Sequence, residues 1–454
     1  MEKTHQKLKK PWLLQKLIPL LFAGLVILFS TSANAGLVII SDEETELYLQ
    51  SIIEPLFKSA GIPFNRNNIY IVQDSSLNAF VSDGNNLFVH TETLLKAQSD
   101  DELRGVLAHE TGHILGGHIL RHKLRMQEMQ DVSLASMIVA GALGAMSGRG
   151  DVAAAIALGS HSSLINQTIA YQIQEERNAD EAAVTLLKKN HHSPQGLLNF
   201  MKKIQSQNKL QGIDENSYFR THPMSGERTA FLEQAVKESP YTPQGASPQL
   251  KRIQAKLFAF IKTPQQTYLK YSKTDDSLPS LYARAIASFK SLHFKTAQGL
   301  IDKLIAQEPN NPHFKELKGQ ILFEQGKIKE AKQEFSQSVK LLPQSLLFKI
   351  NEAQATLELS PSSEDLKTII IKLQQALAIR QNSMGWLLLS RAYHLSGKKA
   401  EAQYAAARYS FSIGDIQLAK HQANEAKNAS LDPNLTLKID DLLNLIKTSS
   451  RKSY

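Results

Sequence analysis

The sequence predicts a mainly α protein, in which an α+β domain with a small β-sheet precedes an all-α solenoid. Three observations support this prediction. Short runs of β-forming residues lie between residues 68 and 90. Around and beyond them, apolar residues three and four positions apart indicate amphipathic helices. In the second half, similar residues recur at a spacing of 34 residues, as in stacked helix pairs.

The composition limits the classes of site and partner. Of the 454 residues, 42% are hydrophobic and 21% charged, which is typical of a globular protein of two or three domains. The absence of cysteine excludes disulfides, thiolate zinc fingers and cysteine nucleophiles, so a zinc site must use His and carboxylate ligands. The formal charge of +9 comes without a basic stripe interleaved with aromatics, and we expect no nucleic-acid partner. Peripheral membrane contact stays open.

The N-terminus has the pattern of an export signal. A lysine-rich leader precedes the 13-residue apolar run Leu17–Phe29, which is too short for an ordinary membrane span. Small residues at Ala33 and Ala35 then indicate cleavage before Gly36. We therefore predict a signal peptide at residues 1–35 and a periplasmic location, with an uncleaved anchor as the alternative.

Residues 36–245 are expected to form the α+β domain. Asn68–Gln73 ("NIYIVQ") is rich in β-forming residues, and Asn78–His90 ("NAFVSDGNNLFVH") reads as strand, Asp-Gly turn and strand. A helix is expected after Ser99, which suits an N-cap and is followed by acidic residues.

Two apolar runs within Leu134–Leu158 are separated by "SGRGD". Their many Ala and Gly residues favour a buried helical hairpin, because small residues allow helices to pack closely. A mobile flap, or a surface that touches membrane or unfolded substrate, is the alternative.

The solenoid is expected over residues 246–454, after the proline-rich stretch Ser239–Gln249. The recurring positions, each displaced by 34 residues, are Ala285 and Gly319, Ala297 and Ala331, Ile301 and Phe335, Pro309 and Pro343. This period is typical of tetratricopeptide repeats, whose helix pairs bury their apolar faces by stacking. A further copy follows around Trp386, and Ser360–Ser363 disturbs the register.

Leu107–His118 ("LAHETGHILGGH") carries the chemistry. His109 and His113 are four residues apart, so on a helix they share one face and can bind one metal ion. Glu110 lies about 100° round the helix, where it can hold a metal-bound water as general base.

His118 is a less suitable third ligand. It follows His109 by nine residues, which on an unbroken helix turns it about 180° away. The metzincin pattern places its third histidine where this chain has Ile119. Because Gly116 and Gly117 can bend the chain, His118 stays a minor alternative.

A second amphipathic stretch, "YQIQEERNADEAA" (Tyr171–Ala183), offers carboxylates. Glu176 and Asp180 are four apart and share a helix face. One of them can bind the metal while the other accepts the ring N–H of a ligand histidine. Two His and one carboxylate with an open position is a common catalytic zinc arrangement. On its own, the stretch would be an exposed charged helix.

These motifs resemble the gluzincin metalloproteases of the HtpX and CAAX-prenyl-protease type. The resemblance rests on "HETGH", on "ERNAD" some 60 residues later, on "NAFVSDGNNLFVHTETL" and on "THPMSGER" (Thr221–Arg228). With an export signal before the motifs and tetratricopeptide repeats behind them, nearly the whole mature chain resembles the periplasmic beta-barrel assembly-enhancing proteases.

The resemblance implies one zinc ion per chain, held by His109, His113 and Glu176, with Glu110 as base and Asp180 as partner of a ligand histidine. His222 and Arg228 match the family's His-Pro and Arg positions, and either is a candidate for stabilising the oxyanion. His222 is also a candidate fourth ligand when substrate is absent. The implied substrates are misassembled outer-membrane proteins, with the β-barrel assembly machinery as a partner of the repeats. A chaperone-like scaffold with latent protease activity is the alternative function.

Overall fold

The computed structural model describes residues 37–127, 171–211 and 222–451. The predicted signal peptide and the apolar segment Leu134–Leu158 lie outside these residues. The described residues from Ile39 onwards form one compact unit. Within the described ranges, we find no helix whose length and apolar character suffice to cross a bilayer.

A four-stranded sheet forms near the start of this unit, as the β-forming runs predict. Its strands are β1 (Ile39–Ile40), β2 (Ile69–Val72), β3 (Ala79–Ser82) and β4 (Asn86–His90), in the spatial order β1-β2-β4-β3. Strands β2 and β4 are parallel, and the other two pairings are antiparallel. The β3–β4 turn uses left-handed backbone at Gly84 and Asn85, residue types that adopt a positive φ at low cost. Strand β3 lies at one edge of the sheet.

Helices pack against this sheet and share buried clusters with it. They are α1 (Glu43–Ala60), α2 (Thr91–Lys96), α3 (Asp100–Gly116), α4 (118–127), α5 (171–189), α6 (Gln195–Gln211) and α7 (Gly226–Lys237). Alternate residues of β2 and β4, such as Ile71 and Val89, point into the core and meet Leu49 of α1 and Leu107 of α3. The helix that carries "HETGH" is therefore held between the sheet and α6.

The next helix, α8 (Pro248–Ile261), is shared between two cores. Leu250, Ile253 and Leu257 pack into the core of the sheet and its helices. Ala255 and Ala259 belong to the following cluster, which contains the first helices of the repeat region. Because both faces of α8 are buried, it connects the two regions firmly.

The repeat region is a solenoid of antiparallel helix pairs. After α9 (Pro264–Lys270) come α10 (Leu278–Lys290), α11 (Phe294–Gln307), α12 (Pro312–Glu324), α13 (Ile328–Leu341), α14 (Leu346–Leu357), α15 (Ser363–Ile379), α16 (Ser383–Leu395), α17 (Lys399–Ser412), α18 (Ile416–Ala429) and α19 (Pro433–Arg451). The recurring small residues mark where the helices of a pair touch. At Gly319 an added Cβ would stand 2.5 Å from the Phe335 ring, so only glycine fits there. The predicted helical repeats are confirmed.

The first turn of α1 supplies most of the polar contacts with the solenoid. Glu44 accepts hydrogen bonds from Arg252 Nε (2.6 Å) and from the Tyr282 hydroxyl of α10 (3.1 Å). Glu43 accepts one from Ser345 Oγ (2.8 Å), and Glu46 forms an ion pair with Arg380 at the end of α15. Acidic residues that suit a helix N-terminus thus also hold two regions together.

A buried carboxyl group extends this polar interface. Glu316 of α12 accepts a hydrogen bond from Asn351 Nδ2 (2.8 Å). Burial raises the pKa of the Glu316 carboxyl to about 7, although the Lys256 ammonium partly offsets the effect. The folded chain therefore retains a proton that the unfolded chain releases near pH 4.5.

We predict that the free energy of unfolding falls as the pH rises from about 4.5 to about 7 through the titration of Glu316. Glu316→Gln cannot ionise and keeps an accepting oxygen. It should remove a pH-dependent loss on the order of 3 kcal/mol, since one pKa unit corresponds to about 1.4 kcal/mol. Urea unfolding of both proteins at pH 5 and pH 8 tests this, with exposed Glu330→Gln as the control. Parallel pH profiles for wild type and Glu316→Gln would contradict the prediction.

Candidate metal centre

Helix α3 places the two motif histidines side by side. Ser99 caps the helix by accepting the Glu102 N–H (3.1 Å). Two turns later His109 and His113 lie on one face, with their Nε2 atoms 3.1 Å apart. Both side chains are buried. The four-residue spacing therefore produces the shared face that the sequence predicts.

Helix α5 brings the carboxylates to these histidines through a close approach of two backbones. A Cβ at Gly112 would stand 2.6 Å from the Ala179 carbonyl oxygen, so a side chain at this position would force the helices apart. The approach places Glu176 with Oε1 3.2 Å from His113 Nε2 and Oε2 3.3 Å from His109 Nε2. The fourth residue of the "HETGH" motif is thus fixed by packing.

A fourth donor comes from the segment before α7. His222 Nδ1 lies 3.0 Å from Glu176 Oε1 and 3.4 Å from His109 Nε2. One atom each of His109, His113, Glu176 and His222 thus lie within 4.8 Å of one another, and all four residues are buried.

These donors fit a tetrahedral zinc ion. Zinc bonds of ~2.0–2.1 Å to nitrogen and oxygen imply ligand atoms roughly 3.3 Å apart. With both Glu176 oxygens counted, the closest separations between donor atoms of the four residues are 3.0–3.4 Å. Imidazole nitrogens and a carboxylate oxygen are also the donor types that zinc takes without thiolates.

Asp180 lies one helical turn after Glu176 and faces the back of His109. Its Oδ1 is 2.9 Å from His109 Nδ1, the ring nitrogen that points away from the four-donor cluster. An anion at this place holds the imidazole proton on Nδ1 and leaves Nε2 directed at the cluster.

Arg228 connects the carboxylates from the first turn of α7. Its Nε lies 2.6 Å from Asp180 Oδ2, and its Nη1 lies 2.9 Å from Glu176 Oε2. Nη1 also donates to the Pro223 carbonyl (2.7 Å), next to His222. The guanidinium therefore holds Glu176, Asp180 and the His222 segment in one arrangement. This geometry favours a positioning role for Arg228 over contact with a reacting oxyanion.

Burial and charge act against each other in this cluster. Burial lowers the pKa of His109, but the hydrogen bonds and charges of Asp180 and Glu176 outweigh it and raise that pKa to about 10. Burial lowers the pKa of His113 to about 3. Burial of Glu176 is outweighed by the surrounding histidines, which hold its pKa well below the usual range. The cluster thus contains an ionised carboxylate and a neutral histidine suited to bind a cation.

Glu110 is fully buried next to the four donors. Burial raises the pKa of its carboxyl group, and the nearby His222 and His109 offset only part of this effect. Its Oε1 lies 3.7 Å from His222 Nε2, on the side of His222 that points away from the cluster. A carboxylate in this place is well suited to take up and release a proton.

The structure places His118 differently from the sequence argument. Helix α3 ends at Gly116, and Gly117 takes a left-handed conformation (φ 62°), so no unbroken helix reaches His118. Its ring returns to the site, with Nδ1 2.8 Å from His113 Nδ1. The expectation that His118 faces away was wrong, because α3 ends at Gly116 and the chain turns at Gly117. His118 nevertheless contacts the back of a candidate ligand and does not join the four donors.

Comparison with known proteins agrees with this geometry. Residues 43–236 match Peptidase family M48. The chain is 22% identical over 379 residues to the Beta-barrel assembly-enhancing protease of Yersinia pestis, covering 80% of this chain and 75% of that protein. It is 21% identical over 414 residues to the Escherichia coli (strain K12) protein of the same name, covering 85% and 83%. The Protease HtpX homolog of Desulfatibacillum aliphaticivorans is 29% identical over 231 residues, covering 44% and 72%.

Residues 43–236 are therefore a peptidase domain of the M48 type, and the resemblance expected from the motifs is confirmed. The protein is a metalloendopeptidase, and the buried cluster of three histidines and one glutamate is its candidate metal site.

Arg228→Met should lower the free energy of unfolding of the metal-free protein by about 3–5 kcal/mol, because it leaves two buried carboxylates without their cation. Arg177→Met is a matched control on α5, since Arg177 pairs with Glu181 across an exposed turn. We expect the control to cost less than about 1 kcal/mol. Urea unfolding in the presence of a chelator measures both. Equal losses would show that the Arg228 contacts carry no special weight.

Proposed function

We propose that this M48-type peptidase domain is a zinc endopeptidase, in which His109, His113 and Glu176 hold one zinc ion per chain. The observation that carries the proposal is the buried group of three histidines and one carboxylate with tetrahedral spacing. Asp180 and Arg228 are assigned the role of fixing the ligands, because they contact His109 and Glu176 directly.

A zinc ion bound there would supply a water acidic enough to ionise near neutral pH and would polarise the substrate carbonyl. Glu110 does the proton transfer. Its buried carboxylate accepts a proton as the nucleophile forms, because its raised pKa favours the protonated state more than at an exposed glutamate. The same oxygen then donates the proton to the leaving amine nitrogen, which balances the hydrolysis of one peptide bond.

His222 is proposed to act as an exchangeable fourth donor. Catalytic zinc sites keep one position for water or substrate, and we assign His222 Nδ1, which lies close to Glu176 and His109, to that position. It is carried by an irregular segment, in contrast to the helical ligands. We propose that His222 withdraws when substrate binds and that its imidazole then stabilises the oxyanion.

The edge strand β3 is the proposed substrate guide. Its residue Val81 lies beside Glu110, and among the residues that the structure describes β3 pairs only with β4. An extended peptide can add to such an edge through backbone hydrogen bonds. This favours unfolded or strand-like segments as substrates over folded domains.

The biological setting is proposed from the relatives. Two of them are named Beta-barrel assembly-enhancing protease. We therefore propose that the protein is exported to the periplasm by residues 1–35, that residues 36–245 form its peptidase domain and that residues 246–454 form the tetratricopeptide-repeat domain. Its proposed substrates are misassembled outer-membrane proteins. The repeats are proposed to dock partners such as the β-barrel assembly machinery.

One feature favours a binding role beside hydrolysis. The solenoid contains a cavity of ≈ 880 Å³ lined by Trp386, Tyr393 and Arg408, among others. A cavity of this size with aromatic walls is suited to bind part of a polypeptide. The alternative function, a chaperone-like scaffold with latent proteolysis, would depend on this surface alone.

Glu110→Gln is expected to bind zinc as wild type does and to lose casein hydrolysis by at least about 100-fold, the usual contribution of a general base. Metal content by elemental analysis and cleavage by gel assay give the two measurements. Exposed Glu181→Gln on α5 is the matched control and should keep full activity. Undiminished cleavage by Glu110→Gln would remove the proposed mechanism. Suppression of casein aggregation without any cleavage, in wild type and variant alike, would favour the scaffold.

A further inference from the structure

Helix α3 ends at a glycine turn directly behind the candidate ligand His113. The Gly117 N–H bonds to the carbonyls of His113 and Ile114 and closes α3, and Gly117 itself has a φ of 62°. Residues other than glycine rarely adopt this conformation, because their Cβ approaches the following carbonyl oxygen. Helix α4 then starts at residue 118, directly after this turn.

The turn at Gly117 places the His118 ring against the end of α3. A Cβ at Gly116 would stand 2.2 Å from His118 Nε2, so the ring occupies the space that a side chain at Gly116 would need. His118 is only 4% exposed. Gly116 and Gly117 thus have separate functions, since the first makes room for the ring and the second turns the chain.

The seated ring makes one short polar contact in the site. His118 Nδ1 lies 2.8 Å from His113 Nδ1, with the two rings at 79° to each other. At this distance one nitrogen donates a hydrogen and the other accepts it. The direction of the bond follows from the other nitrogen of His113.

His113 Nε2 faces the cluster, 3.1 Å from His109 Nε2 and 3.2 Å from Glu176 Oε1. A histidine binds a metal ion through the nitrogen that carries no hydrogen. With Nε2 as the donor to the metal, the hydrogen of His113 resides on Nδ1. His113 then donates to His118 Nδ1, and His118 accepts.

The two candidate ligand histidines therefore have different partners behind them. His109 has the Asp180 carboxylate at its Nδ1 (2.9 Å). His113 has a neutral imidazole in the equivalent place. Glu110, Glu176 and Asp180 already bring three carboxyl groups into this buried volume. A neutral acceptor can orient His113 without adding a fourth carboxyl group to this volume.

We propose that His118 is a positioning residue for the metal centre, which fixes the tautomer and the ring orientation of His113. The proposal rests on the proposed function, because it takes His113 as a metal ligand. Partners of this kind typically change metal affinity about 10- to 100-fold when removed. The contact belongs to a residue outside the His-Glu-x-x-His motif and outside the four-donor cluster.

The test compares His118→Phe, which keeps an aromatic ring but accepts no hydrogen bond, with His118→Asn, whose side-chain oxygen can accept one. Exposed His122→Phe on α4 is the matched control. Zinc affinity is measured by competition with a chelator. The visible spectrum of the cobalt(II)-loaded protein reports the ligand geometry, and urea unfolding without metal reports the fold.

We expect His118→Phe to lose about 10- to 100-fold in zinc affinity and to shift the cobalt bands. His118→Asn should recover most of the affinity, and His122→Phe should behave as wild type. If His118→Phe does not fold, Gly116→Ala carries the same comparison, because its methyl group displaces the His118 ring while the imidazole remains.

Wild-type zinc affinity and an unchanged cobalt spectrum in His118→Phe would overturn the positioning role. So would an affinity loss that His118→Asn does not recover at all. A separate outcome concerns the proposed function. If His109→Ala binds zinc as tightly as the wild type does, the ion is not held by this cluster, and both proposals fail together.

Discussion

The close contact between α3 and α5 is the constraint on which the candidate centre depends. Two donors come from α3 and one from α5, so their spacing is set by the distance between two helix axes. Gly112 allows the Ala179 backbone to approach to a distance that a Cβ would forbid. Any wider packing would separate the His109 and Glu176 side chains by more than one metal ion can span. The close packing of protein interiors then holds this distance.

Electrostatics impose a second condition on the same group. Isolated carboxylates are costly to bury, and Glu176, Asp180 and Glu110 are all buried. Arg228 compensates two of them directly. The charges and hydrogen bonds of Asp180 and Glu176 raise the pKa of His109, so this pocket favours a positive charge next to that ring. A cation held at Nε2 would supply such a charge in place of a proton.

Much of this could be predicted from the sequence, because local periodicity decides it. The four-residue spacings within "HETGH" and between Glu176 and Asp180 predict shared helix faces, and the structure shows both. The 34-residue period predicts the helix pairs, and even Leu292 takes the left-handed conformation of Gly326, its equivalent one repeat later. His118 could not be placed, because helical geometry ceases to apply where a glycine ends the helix.

The contacts between distant parts of the chain could not be predicted from the sequence, for a different reason. Glu43, Glu44 and Glu46 suit the first turn of α1 by their charge alone, and nothing local indicates that they also bind the solenoid. The role of Arg228 was likewise hidden, since its partners Glu176 and Asp180 precede it by some 50 residues. Such pairings are decided by tertiary packing.

Further long-range contacts connect the solenoid to the helix of the candidate metal centre. Ser247, which caps α8, donates from Oγ to Asp100 Oδ1 (2.8 Å) in the first turn of α3. The Tyr48 hydroxyl of α1 donates to the same oxygen (2.7 Å). Helix α8, which begins after this cap, is buried on both faces and packs into both cores. The N-terminus of the helix that carries His109 is therefore anchored to the element from which the repeats begin.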